Sequence, residues 1–175
     1  MPGGRIDTER AFNALGIAIL TISDTRDAGN DTSGDLLAER VGAAGHHLRA
    51  RVILRDDLGA IQSQVKAWIE EPGVDVVITN VGTGLSPRDV TPEALRELFD
   101  REFEGFLVLW HLISYETVGI STLQSRACAG IAGNTVIYVL PGSTGACRDG
   151  WDKLISLQID SRHRPCSIVE LLGHK

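Results

Sequence analysis

Three short apolar runs place the tightest limit on what this chain can fold into. Residues 16–23 (GIAILTIS), 74–79 (VDVVIT) and 135–140 (TVIYVL) are too short for ordinary helices and read as buried strands. Each leads into a polar or glycine-bearing loop and then into a helical pattern. After the first run, residues 24–34 form a loop. Thr32 or Ser33 then caps a helix beginning near Asp35 that uses Leu36, Leu37, Val41 and Ala44, with Gly45 as its stop. After the second, residues 91–100 form a helix with Pro92 near its first position. After the third, Trp151, Leu154, Ile155, Leu157 and Ile159 mark another. In between, Leu48, Ala50, Val52 and Leu54 alternate with His47, Arg49, Arg51 and Ile53 as a further strand, and Ile61, Val65, Trp68 and Ile69 share a helical face. Strands alternating with helices predict an α/β fold with helices on both faces of a mostly parallel sheet. Ligands then bind beyond the carboxyl ends of the strands. The apolar stretch 103–115 predicts a buried helix, and 122–129 a second one.

The chain has 175 residues, 43% of them hydrophobic, enough for one domain with a substantial core. Residues 1–14 read as a loosely ordered, flexible lead-in and 15–175 as a single domain, without repeats or linkers. The net charge of −6 and the lack of a basic stripe argue against nucleic-acid binding. The most apolar run, 106–113, is too short to span a bilayer, and residues 1–13 are too polar for a signal peptide. The expectation is a cytoplasmic protein with no membrane partner. Cys128, Cys147 and Cys166 lie far apart in no metal-ligand spacing, which predicts buried free thiols in a reducing compartment. The five histidines form no ligand pattern either.

The chemistry concentrates in residues 78–94, ITNVGTGLSPRDVTPEA. A strand runs into Gly82-Thr83-Gly84, then Arg88 and Asp89, then a helix start at Thr91-Pro92. That arrangement can hold an anion on backbone N–H groups, with Arg88 and Asp89 suited to a phosphate and its Mg²⁺. The same glycines also suit a tight turn with positive φ. The loop is neither a Walker A sequence nor a dinucleotide fingerprint. Asp89 can bind Mg²⁺ or cap the following helix. Asp56 and Asp57 follow the strand marked by Leu48, Ala50, Val52 and Leu54 and can serve a site or a solvated turn. A second glycine turn, residues 141–145 (PGSTG), offers Ser143 as a phosphate donor or as a helix cap. Both glycine loops end strands and can share one pocket.

Together these residues resemble the MoaB/Mog family of molybdenum cofactor biosynthesis proteins. The resemblance runs from about Ile17 to Leu172 and is carried by SDTR (23–26), DTSG (31–34), GTGL (82–85), RDVTPEA (88–94), STLQSRA (121–127) and PGSTGACR (141–148). STLQSRA, PGST-x-ACR and the DSRHRPC tail (160–166) resemble the MoaB branch. The resemblance implies a three-layer α/β/α sandwich assembled into homotrimers or hexamers. It also implies a pocket for molybdopterin, whose terminal phosphate attacks the α-phosphate of Mg-ATP in active members. Asp56 and Asp89 match the family's functional carboxylates and candidate Mg²⁺ ligands. Ser23, Asp24, Asp31, Gly82, Thr83, Gly84, Arg88, Ser114, Gly142 and Ser143 match positions implied to bind substrate or cofactor.

The chain departs from the pattern in two places. Where relatives usually read TGGTG it has Asn80-Val81-Gly82-Thr83-Gly84, and Val81 is expected to strain the backbone or fill ligand space. Where they usually read Gly-Phe-Gly-Glu, two variable residues and Arg, it has Gly105-Phe106-Leu107-Val108-Leu109-Trp110-His111. An acid and a guanidinium expected to face a polar ligand are thereby replaced. These changes support a second expectation, a non-catalytic member that binds a protein partner or regulates through its surface.

Overall fold

The central strands are buried from end to end, so their alternating side chains need a hydrophobic layer on both sides. The computed structural model describes residues 4–87 and 89–173. Strands β2 (Gly16–Ile22), β4 (Val76–Val81) and β7 (Thr135–Pro141) form the middle of a six-stranded sheet. With β3 (His47–Leu54), β5 (Arg101–Glu102) and β6 (Cys128–Ala132), the order is β3-β2-β4-β7-β6-β5. The four strands β3, β2, β4 and β7 are parallel, β6 pairs antiparallel with β7, and β5 at the edge pairs antiparallel with β6.

Successive side chains of one strand serve opposite layers. Ile17, Ile19, Val76, Ile78, Tyr138 and Leu140 pack on one face with helices α1 (Thr32–Ala43), α4 (Glu104–Val118) and α5 (Thr144–Gly150). Ala18, Leu20, Val77, Val81, Ile137 and Val139 pack on the other with α2 (Leu58–Glu70) and α3 (Thr91–Arg96). The result is the expected three-layer α/β/α sandwich. Helices α1 and α2 start at side-chain caps. Asp31 Oδ1 accepts from the Gly34 N–H at 3.0 Å, and Asp57 Oδ1 from the Ala60 N–H at 2.7 Å. Asp31 rather than Thr32 or Ser33 is the first cap, so α1 begins before Asp35.

Three other local expectations are corrected. Residues 122–129 do not form a helix. A 3₁₀ run, Gly119–Gln124, gives way to β6, which returns along β7 through a turn at Gly133, where φ is 57°. Gly130 fits there because the Phe99 ring lies across it, 2.5 Å from where a Cβ would stand. Helix α4 is not a buried helix. Phe106, Trp110 and Ser114, four residues apart, face the sheet, while Val108, Leu109, Leu112, Tyr115 and Val118 are exposed. The helical run is also longer than the apolar core of its sequence. From Glu104 to Gln124 it is long and apolar enough to cross a membrane by length and composition, yet its inner face is already seated on the sheet.

Within the segment expected to be a loose lead-in, β1 (Arg5–Ile6) pairs antiparallel with β8 (His163–Arg164). The Phe12 ring packs against His46 and under the Arg162 guanidinium, and Asn13 donates its backbone N–H to Ser161 Oγ at 2.8 Å. Of the three thiols, Cys128 and Cys147 are buried but Cys166 is exposed.

Candidate functional site

The parallel strands deliver their following loops to one edge of the sheet. Ser23 and Asp24 follow β2, Asp56 follows β3, the Gly82 loop follows β4, and Gly142 and Ser143 follow β7. Register fixes the closest pair of loops. Val81 lies opposite Pro141, and the Gly142 N–H donates to the Val81 carbonyl at 2.8 Å. The two glycine turns therefore adjoin, as the strand ends implied.

The glycines of residues 82–84 serve packing rather than a left-handed turn. Neither Gly82 nor Gly84 has positive φ. A Cβ on Gly82 would stand 2.0 Å from Asp89 Oδ1, and one on Gly84 3.0 Å from Asp89 Oδ2. The loop thus wraps the Asp89 carboxylate. Asp89 does not cap α3, whose first turn has no side-chain cap. Its Oδ2 instead accepts the Ser86 N–H at 3.0 Å. Arg88 lies outside the described residues.

Val81 behaves differently from the expectation. Among the described residues no non-glycine has positive φ, so Val81 carries no such strain. Its side chain is 1% exposed and packs in the α2/α3 layer. As the last strand residue it points away from the ligand edge, because strand parity sends it to the core. The α4 substitutions divide: Val108 is 61% exposed, Leu107 packs against the core beside the sheet, and the half-buried His111 places Nδ1 2.9 Å from Thr122 Oγ1.

The acid pair after β3 divides its roles. Asp57 caps α2, whereas Asp56 Oδ1 is buried with no hydrogen-bond partner among the described residues. Burial, and then the neighbouring charges of Asp24 and Asp89, push the Asp56 carboxyl above the ordinary carboxylate range. Among the described residues no group of three or more His, Cys, Asp or Glu side chains is close enough to hold a metal alone. The donor set instead suits Mg²⁺, which characteristically takes one or two carboxylates and completes its shell with phosphate oxygens and water. A buried carboxylate that feels the charges of two others is a place where a divalent cation would relieve repulsion.

Asp31 is structural. It is fully buried, and its Oδ2 accepts from Thr21 Oγ1 at 2.7 Å and from Arg51 Nη2 at 2.8 Å, besides the cap bond of Oδ1. Burial opposes its ionisation, but the hydrogen bonds from Arg51, Thr21 and Gly34 outweigh that and hold the carboxyl below its ordinary value. Sequence reasoning missed two arginines here. Arg51 sits at the polar phase of β3. Arg26 joins the β2 loop to its neighbours, donating to Ser33 Oγ at 2.7 Å, while Ser33 Oγ donates to the Gly142 carbonyl at 2.7 Å. Ser23 Oγ accepts from the N–H groups of Thr25 and Arg26 and shapes the start of that loop.

Two cavities flank the edge. One of about 410 Å³ is lined by Ser23, Asp24, Arg26, Leu54 and Arg55. The other, about 210 Å³, lies between α4 and α5 and is lined by Trp110, Ser114, Ser143, Arg148 and Asp149. Ser114 is therefore brought beside Ser143, which itself caps α5 by accepting the Ala146 N–H. Thr83 is buried at the centre of its loop.

A family model described as a probable molybdopterin binding domain matches residues 18–161. This chain belongs to the MoaB/Mog family. It is a molybdenum cofactor biosynthesis protein of the MoaB type. Molybdenum cofactor biosynthesis protein B of Escherichia coli K12 is 49% identical over 163 residues, 93% of this chain and 95% of that one. Its counterpart in Bacillus cereus is 47% identical, over 78% and 82% of the two chains. A crystal structure of a molybdenum cofactor biosynthesis protein B superposes with a TM-score of 0.83 at 43% identity, covering 86% of this chain and 94% of that one. The tungsten cofactor synthesizing protein MoaB of Pyrococcus furiosus gives a TM-score of 0.72 at 35% identity, with 80% and 89% covered. The MoaB/Mog fold thus accounts for the sheet order and for the clustering of the motifs at its carboxyl edge.

Proposed function

We propose that this protein binds molybdopterin and Mg-ATP at the carboxyl edge of its sheet and adenylylates the molybdopterin phosphate. The observation that carries the reading is the buried, partnerless Asp56 Oδ1 beside the charges of Asp24 and Asp89, next to a glycine loop. In this reaction a phosphate oxygen of molybdopterin forms a bond to the α-phosphorus of ATP, the bond to the β-phosphate breaks, and pyrophosphate leaves with its electron pair. The nucleophile belongs to the substrate, so the protein supplies position and charge neutralisation. Bound Mg²⁺ supplies positive charge to the phosphates. Asp56 and Asp89 would hold it, with Asp24 adding negative field. Thr83 and the backbone of Gly82 and Gly84 orient phosphate oxygens, and Gly142, Ser143 and Ser114 take the pterin side.

We assign the outward face of α4 to contact with further copies of the chain, in a trimer or hexamer. Val108, Leu112, Tyr115 and Val118, with Ile120 and Leu123 of the 3₁₀ run that follows, are all more than half exposed, and Leu85 beside the glycine loop is 69% exposed. Contiguous apolar surface of this kind marks an interface. The same face favours the second reading, a non-catalytic member that docks another protein there. Calorimetric titration with molybdopterin and with Mg-ATP, followed by analysis for adenylylated molybdopterin, separates the two. Saturable binding with product supports the enzyme. Binding to neither ligand supports the second reading.

A further inference from the structure

Arg126 connects the glycine loop to the rest of the molecule. It stands between the 3₁₀ run and β6, half-buried, with 25% of its side chain exposed. Its backbone N–H donates to the Thr83 carbonyl at 2.9 Å, and its Nε to the Gly84 carbonyl at 2.8 Å. Nη2 donates to the Asp89 carbonyl, and Nη1 pairs with Glu93 in the first turn of α3. One guanidinium thus grips the outgoing arm of the loop at Gly84, the returning arm at Asp89, and the helix that follows. The contacts inside the loop, Ser86 N–H to Asp89 Oδ2 and Asp89 N–H to the Ser86 carbonyl, close a local turn but do not anchor it to the sheet.

We propose that Arg126 is the positioning residue for Asp89. It acts through backbone carbonyls, fixing the carboxylate against Gly82 and Gly84. The planar fork of arginine presents donors in fixed directions to acceptors on separate chain segments. A lysine keeps the charge and can pair with Glu93, but its single ammonium on a flexible stem does not hold both carbonyls. The consequence for Mg-ATP rests on the function proposed above. The consequence for loop order does not.

The test compares Arg126→Lys and Glu93→Gln with the unmodified protein. Three measurements are made on each: thermal melting, amide hydrogen exchange of peptides spanning residues 82–90 without ligand, and calorimetric affinity for Mg-ATP. Arg126→Lys is expected to exchange about tenfold faster in 82–90 and to bind Mg-ATP about tenfold more weakly, the scale of one lost charge-assisted hydrogen bond. Its melting temperature and the exchange of β4 and β7 should stay near those of the unmodified protein. Glu93→Gln should leave loop exchange and affinity nearly unchanged, because both carbonyl bonds remain. Weakened binding with unchanged loop exchange would overturn the proposal and make Arg126 a direct ligand contact. Faster exchange throughout the sheet would make it a general stability residue. If the unmodified protein does not bind Mg-ATP, the function reading fails, and the exchange result alone decides the positioning role.

Discussion

At the scale of single residues, side-chain direction overrides what a motif suggests. Val81 stands where relatives usually carry glycine, yet it ends β4 with its isopropyl group in the α2/α3 layer. Val81→Gly should therefore cost about 3 kcal/mol, combining lost burial with added backbone freedom. It should gain no affinity for Mg-ATP; denaturant unfolding and calorimetry check the two halves. Gly82 carries the opposite expectation. Gly82→Ala places a Cβ where Asp89 Oδ1 now lies. The carboxylate must move, so Mg-ATP affinity should fall about tenfold or more while the fold persists. An alanine variant that binds normally would mean that Asp89 needs no fixed position. The sequence identified Gly82 and Asp89 as neighbours in a motif. It did not reveal that one exists to make room for the other.

At the scale of elements, composition misled at α4 and 122–129 for related reasons. An apolar helix looks the same in sequence whether it faces a core or another molecule, and only the i, i+4, i+8 seating of Phe106, Trp110 and Ser114 separates them. Small residues such as Ala129, Gly130 and Ala132 carry no strong period, so pairing with β7 decided that they form a strand. The outward α4 face yields a prediction of its own. Leu112→Glu, at a position 62% exposed, should leave the melting of the isolated chain little changed. It should shift the sedimentation of the protein toward the monomer at micromolar concentration. If sedimentation does not change, α4 is not the contact between copies.

At the scale of the whole molecule, acid should weaken the fold in two steps. His46 is buried and accepts the Leu15 N–H on Nδ1 at 3.1 Å, which requires the neutral ring. Burial lowers its pKa, the Asp160 charge opposes that, and His47 adds to it. The unfolded chain therefore takes up this proton first. Stability present above the ordinary histidine value of 6.5 should decline as pH falls below it. His46→Gln, which keeps an acceptor for Leu15, should flatten that step. Asp31 has a lowered pKa in the fold, so its contribution is present above the ordinary value of 3.8 and is lost as pH falls through and below it. Asp31→Ala should remove that second step and cost about 3 kcal/mol at neutral pH, since it removes the α1 cap and the hydrogen bonds to Thr21 and Arg51 while Arg51 keeps Asp35. Equilibrium unfolding across pH resolves both.

The sequence by itself determined the sandwich, because apolar runs of strand length alternating with helical periodicity admit few other arrangements. It also determined the motifs, since SDTR, GTGL, RDVTPEA and PGST are local strings that follow strand ends. Tertiary structure decided what those residues do. Asp57 became a cap while its neighbour Asp56 was left with an unpartnered oxygen, and Asp31 was drawn into the interior by Arg51 from an adjacent strand. Arg126 reached the Asp89 loop from 37 residues away. Such pairings depend on strand register and on the direction each side chain takes, which no local pattern encodes.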